Sequence, residues 1–145
     1  MKSVFLLLSL CLVFASQSAS ACSCAQWEGA SEMLNSSDTL VLGVPTDEGV
    51  FYSRDEDFGE DMYRYGINIV KKFKGKYSKF MYVISNKGNG ANCGVYFKPY
   101  DGLYLIAGYK VPGEKYYYTE GCSVGYVTPE DEETARIIED LLKRN

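Results

Sequence analysis

Cysteine placement constrains this chain more than any other feature of it. The five cysteines stand at positions 11, 22, 24, 93 and 122. Cys11 lies in an apolar run, residues 4–15, that follows the positively charged Met1-Lys2 and precedes a polar, small-residue stretch over 16–21. That run is shorter than the roughly 20 residues of a membrane-spanning helix, and Ala19-Ser20-Ala21 carries the small side chains that signal peptidase admits before its cut. Residues 1–21 are therefore expected to be a signal peptide, with Cys22 the first residue of the mature chain. The expected location is secreted and extracellular, or periplasmic in a bacterium. Four cysteines remain there, an even number that reads as two disulfides with three connectivities open. A Cys22–Cys24 bridge would close a very tight loop, so each is expected to pair with a distant cysteine; spacing does not say which. Lipid modification of Cys22 fits less well, because the apolar run ends at Ala15 and three thiols would be left over.

The remaining composition excludes several chemistries. The chain has no histidine. It therefore lacks the usual general base, the partner of a serine or cysteine nucleophile, and the commonest zinc ligand. Nothing suggests an enzyme except Cys22-x-Cys24, which would serve thiol redox chemistry only with accessible thiols of low pKa. Acidic residues outnumber basic ones 19 to 15, a net charge of −4. Such a balance disfavours a nucleic-acid partner, which needs a basic footprint. No second apolar run is long enough to span a membrane. Residues 22–145 have the length of one domain, expected to be a monomer.

The patterning is mostly that of strands. Thr39–Val44 is apolar and β-rich, with Pro45 as its end, and Leu103–Tyr109 is the most apolar stretch and predicts a central strand. Residues 62–73 alternate, with Tyr63, Tyr65, Ile67 and Ile69 on one face. Phe80–Ser85, Cys93–Phe97 and Tyr116–Glu120 read as further short strands, and Pro112-Gly113 as a turn. Asp47 to Asp61 contains seven acidic residues opposed only by Arg54. It reads as a long hairpin loop, solvated or flanking a site. The lysines at 71, 72, 74, 76 and 79 either solvate a turn or offer a polyanion site. Gly88-x-Gly90 resembles a phosphate loop, but no helix follows it, so that reading fails. Asn35-Ser36-Ser37 is a glycosylation sequon for a eukaryotic source, and equally a polar turn following a short helix over 30–34. The C-terminal end predicts a helix with Thr128 as N-cap, Pro129 in the first position and Asp131 as capping-box acid. Ala135, Ile138, Leu141 and Leu142 form its expected apolar stripe. The fold class that follows is mainly β: an antiparallel OB-type barrel of five to six strands, with a C-terminal helix and two disulfide staples.

Cleavage after Ala21 gives Cys22 a free α-amino group beside its own carbonyl oxygen, a pair of atoms able to chelate a metal ion. With that end in view, the ordered set Cys22-Ser23-Cys24-Ala25, Cys93-Gly94 and Cys122 resembles the tissue inhibitors of metalloproteinases, whose inhibitory domain is a netrin-like module. Ser37-Asp38-Thr39-Leu40-Val41, Phe73-Lys74-Gly75, Tyr104-Leu105-Ile106-Ala107-Gly108 and the closing helix match in the same order, covering nearly all of residues 22–145. The resemblance implies disulfides Cys22–Cys93 and Cys24–Cys122. It implies that Cys22 chelates the zinc of a target protease in trans, filling the coordination position that a catalytic zinc keeps open for water. The amine must be neutral to do so, and the reference pKa of an α-amino group is about 7.7–8.0. Ser23 would enter the specificity pocket, with Ala25, Ala91, Asn92 and Cys93 alongside. Gln26 stands where the family commonly has proline, and the family's second, disulfide-rich domain and a third disulfide have no counterpart over 22–145. No cofactor of its own is implied, and the expected partners are zinc metalloproteases and extracellular matrix. The alternative is a non-inhibitory netrin-like binding module of the matrix or cell surface.

Overall fold

A computed structural model of the chain describes residues 27, 29–54, 59–88 and 93–144. It contains a helix α1 (Ala30–Ser36) and strands β1 (Thr39–Pro45), β2 (Val50–Arg54), β3 (Asp61–Lys74), β4 (Phe80–Asn86), β5 (Tyr104–Lys110) and β6 (Tyr117–Tyr118). A 3-10 turn (Gly121–Ser123), strand β7 (Val124–Tyr126) and helix α2 (Glu132–Arg144) complete it.

The strands close on themselves. The pairing runs β1-β3-β4-β6-β5, and β1 pairs with β5 to shut a five-stranded barrel; β2 extends it from β3 and β7 from β5. All pairings are antiparallel except the two-residue β4–β6 contact, Val83 with Tyr117 and Ile84 with Tyr118. Counted over the five barrel strands, the order is 1-2-3-5-4-1, with third and fifth parallel: the expected OB-type barrel. Among the described residues no helix is long and apolar enough to cross a membrane.

Strand periodicity divides the buried residues into two cores. Inside the barrel lie Val41, Tyr65, Ile67, Met81, Val83, Phe97, Tyr104, Ile106 and Tyr117. Leu40, Leu42, Leu105 and Ala107 point the other way, under a helical layer supplied by Ala30, Met33, Ile137 and Leu141. Closure demands a tight approach at Gly43, beside a register shift in the β1–β3 ladder; a Cβ there would collide with Ile67.

Several local expectations are corrected. Pro45 is itself the last residue of β1, one position past the expected Val44. The acidic 47–61 segment is not all loop, because Val50–Arg54 pairs with β3; its Asp47 accepts backbone bonds from Gly49 and Gly66, both at 3.1 Å. Residues 93–98 form no strand: Val95 N–H donates to the Ser85 hydroxyl (3.0 Å) instead of to a ladder. The strand expected over Tyr116–Glu120 is reduced to Tyr117–Tyr118.

The C-terminal helix starts later than expected. Thr128 Oγ1 accepts from Asp131 N (3.2 Å) and makes the preceding turn, while Asp131 Oδ1 accepts from Thr134 N (3.0 Å) and is the true cap. The buried stripe is Thr134, Ile137 and Leu141; Ala135 and Leu142 face solvent, and Ile138 is half-buried. Lys74, one of the clustered lysines, donates to the Leu34 and Ser37 carbonyls and so closes α1.

Two titratable groups give predictions. The hydrogen bonds from Thr134, side chain and then backbone, hold the Asp131 carboxyl below its ordinary value. Its contribution is complete above a pH of about 3.8 and is lost as pH falls through the lowered value. Asp131→Ala is expected to cost about 1 kcal/mol at neutral pH and less in acid, as read by denaturant titration at several pH values. The fully buried Tyr65 hydroxyl has no hydrogen-bond partner among the described residues, and burial pushes its phenol up to about 12 from 10.0. The native state therefore keeps a proton that the unfolded chain loses above pH 10, and stability falls as pH rises from there toward 12. Tyr65→Phe is expected to fold at least as stably at pH 7 and to lose part of that alkaline decline, measured by thermal melts from pH 7 to 11.

Candidate functional site

Cys93 and Cys122 meet Trp27 beside the end of β4. Of the site residues expected from sequence, Cys22, Ser23, Cys24, Ala25, Ala91 and Asn92 lie outside the described residues. Cys93 and Cys122 lie within them, and both are disulfide-bonded; the pairing Cys22–Cys93 and Cys24–Cys122 falls on the undescribed side.

Three separate stretches meet here, and each is brought by a specific contact. Cys93 opens the irregular segment that doubles back along the end of β4. Gly94 is seated so tightly there that a Cβ would strike the Asn86 carbonyl. Thr119 N–H continues from the β6 side to the Ile84 carbonyl (2.9 Å), and the chain then turns through Gly121–Ser123. In that turn Gly121 N–H donates to the Cys93 carbonyl at 2.6 Å. Finally, Trp27 Nε1 donates to the Cys122 carbonyl at 2.8 Å, across 95 residues of sequence. Cys93, Cys122 and Trp27 thus line one open cleft with Tyr109, Glu120 and Glu32. Beneath it the buried Ser123 hydroxyl lies 3.2 Å from the Tyr109 hydroxyl.

Sequence reasoning found the cysteines but missed Trp27 and Gly121, which fasten them together. The chain's single tryptophan, three residues after Cys24, was the available signal. Asn35 is exposed on the last turn of α1. Among the described residues no group of three or more acidic, cysteine or histidine side chains is arranged to hold a metal ion. The acidic segment is partly consumed by its own hairpin, where Arg54 Nε pairs with Asp61 at 2.9 Å.

No family model and no curated protein matches this chain.

The Trp27 contact carries a test. Trp27→Phe keeps an aromatic ring, smaller than the indole, and deletes the N–H, leaving the Cys122 carbonyl without that donor. A loss of about 0.5–1.5 kcal/mol is expected, with faster amide exchange at Gly121 and Ser123 than in the unaltered protein.

Proposed function

We propose that this protein is a secreted inhibitor of zinc metalloendopeptidases. Cys22, freed at its α-amino group by signal-peptide removal, caps the protease zinc through its amino nitrogen and carbonyl oxygen, and Ser23 enters the adjoining specificity pocket. The inhibitor carries no cofactor; the metal belongs to the protease, and the complex is formed by one inhibitor monomer. Ala25 and the Ala91-Asn92-Cys93 segment flank the wedge. Extracellular matrix is the second partner that the same resemblance suggests.

The observation that carries this reading is the meeting of Trp27, Cys93 and Cys122. Trp27 is fastened to the Cys122 carbonyl, and Cys93 to the neighbouring Gly121. An extended chain covers at most about 3.6 Å per residue, so Cys24 lies within about 11 Å of Trp27 along the chain and Cys22 within about 18 Å. Both N-terminal cysteines are therefore tethered within reach of the two distant ones, as bridges Cys22–Cys93 and Cys24–Cys122 require. The OB-type barrel agrees with the resemblance in fold, and the absence of histidine agrees with an inhibitor that borrows its metal.

Such a wedge gains affinity from being fixed beforehand, since ordering a flexible terminus at the moment of binding would oppose association. The bridges limit the unfolded chain as well, each by about 2–4 kcal/mol.

Extending the mature protein by one alanine ahead of Cys22 is the decisive change. The amine then becomes an amide nitrogen, a poor zinc ligand, while the fold is untouched. Titration against a panel of zinc endopeptidases is expected to show inhibition by the form beginning at Cys22 and none by the extended form, with identical circular dichroism. Equal inhibition by both would remove the chelation mechanism. Inhibition by neither, with the fold intact, would favour the non-inhibitory binding module.

A further inference from the structure

We propose that the outer face of β3 and β4 is a binding site for a neutral oligosaccharide, separate from the cysteine-bearing end.

Four aromatic rings stand in a row across this face. Phe80 and Tyr82 both project outward from β4, their centroids 4.9 Å apart. Tyr82 continues to Tyr116 at 5.9 Å, and Tyr116 to Tyr52 at 5.7 Å. Arg64, from β3, lays its guanidinium 4.7 Å from the Tyr82 ring centre and 5.6 Å from that of Tyr116, and Nη1 donates to the Tyr116 hydroxyl at 3.4 Å. Phe80 and Tyr82 remain 37 % exposed despite this packing. Residues that serve only the fold would be expected to point inward, where Tyr65 and Phe97 do point. These rings instead gather on the solvent side of a barrel whose core is already full.

Their position in the fold is specific. Tyr82 and Arg64 lie on the second and third barrel strands. Tyr52 comes from the segment joining the first to the second, and Tyr116 from the segment joining the fourth to the fifth. Those strands and those two connections form the face on which OB-type barrels bind oligonucleotides and oligosaccharides.

Charge decides between the two ligand classes. The row holds one cation, Arg64, already engaged over two rings, and Glu114 lies against the Tyr52 phenol, whose pKa is raised by burial first and then by that carboxylate. A phosphate backbone needs several unopposed cations along its path. Lys76, Lys110 and Lys115 lie beyond Tyr116 in a cleft shared with Asp38 and Glu114. A neutral sugar chain suits what is present: its apolar C–H faces pack on ring surfaces, and its hydroxyls meet phenol, guanidinium and carboxylate groups at the rim.

The test is titration of the full mature protein with cellohexaose, chitohexaose and laminarihexaose, followed by calorimetry and by aromatic-resolved NMR. At least one hexasaccharide is expected to saturate, with ring-signal changes confined to Tyr52, Phe80, Tyr82 and Tyr116. Tyr82→Ala and Tyr116→Ala are expected to weaken binding about tenfold or more, the scale of one lost ring contact. Tyr100→Ala, at an exposed tyrosine elsewhere, is expected to leave binding unchanged. Protease inhibition should be the same in all three variants, so this site and the inhibitory one stand or fall separately. Saturation by none of the sugars, ring changes elsewhere, undiminished binding by Tyr82→Ala, or saturation only by oligo-dT or heparin would each overturn the proposal. The ring signals of the unaltered protein carry the test even if a variant does not fold.

Discussion

The closure of β1 against both β3 and β5 is the constraint on which the rest of the structure depends. A seven-residue strand is hydrogen-bonded along both edges and buried on both faces. Its odd and even side chains serve different cores: Val41 fills the barrel, while Leu40 and Leu42 lie under the helices. β5 does the same with Ile106 inward and Leu105 and Ala107 outward. Without Gly43 the β1 backbone could not approach Ile67, and the two cores would lose their common wall. The helices touch each other and share the outward side chains of β1 and β5, so their docking on the sheet follows from barrel closure.

That double burial explains which elements were legible in sequence. Strands buried on two faces read as continuous apolar runs, and the 39–44 and 103–109 stretches do so. β3 has one wet face over much of its length and shows alternation instead. β2 was lost within the acidic segment because it is a surface strand with little buried area, held by backbone pairing that leaves no side-chain pattern. Residues 93–97 erred the other way. The buried Phe97 two residues beyond Val95 mimics a strand, but the segment is held by Ser85 and by the Tyr65 and Tyr104 rings, at 5.1 and 5.2 Å from Phe97, not by a ladder. In α2 the buried stripe begins at the polar Thr134, while the apolar Ala135 and Leu142 beside it face solvent, so apolar positions alone pointed one residue away from Ile137.

The candidate site was legible in a different sense. The number and spacing of cysteines announced a stapled end, but nothing in spacing says that Cys93 and Cys122 would be neighbours. Their approach depends on the two-residue parallel contact between β4 and β6, too short to leave a periodic signal. Trp27 escaped notice because its N–H is directed at a distant backbone carbonyl while its ring packs against the helical core. Such contacts are set by tertiary structure and have no local sequence correlate.

The C-terminal end of β4 ties these features together. Ile84 accepts from Thr119, Ser85 from Val95, and the Asn86 carbonyl presses on Gly94. Through these three successive residues the strand positions both segments that bear the distant cysteines. Toward its other end the same strand turns Tyr82 and Phe80 outward to solvent. Asn86 lies four positions after Tyr82, about 13 Å of extended chain. One rigid strand therefore supports two surfaces of opposite character. The first is a backbone-crowded end where Cys93, Cys122 and Trp27 are brought together. The second is an aromatic row whose side chains remain accessible. Because the barrel fixes the distance between them, a ligand occupying one surface need not disturb the other.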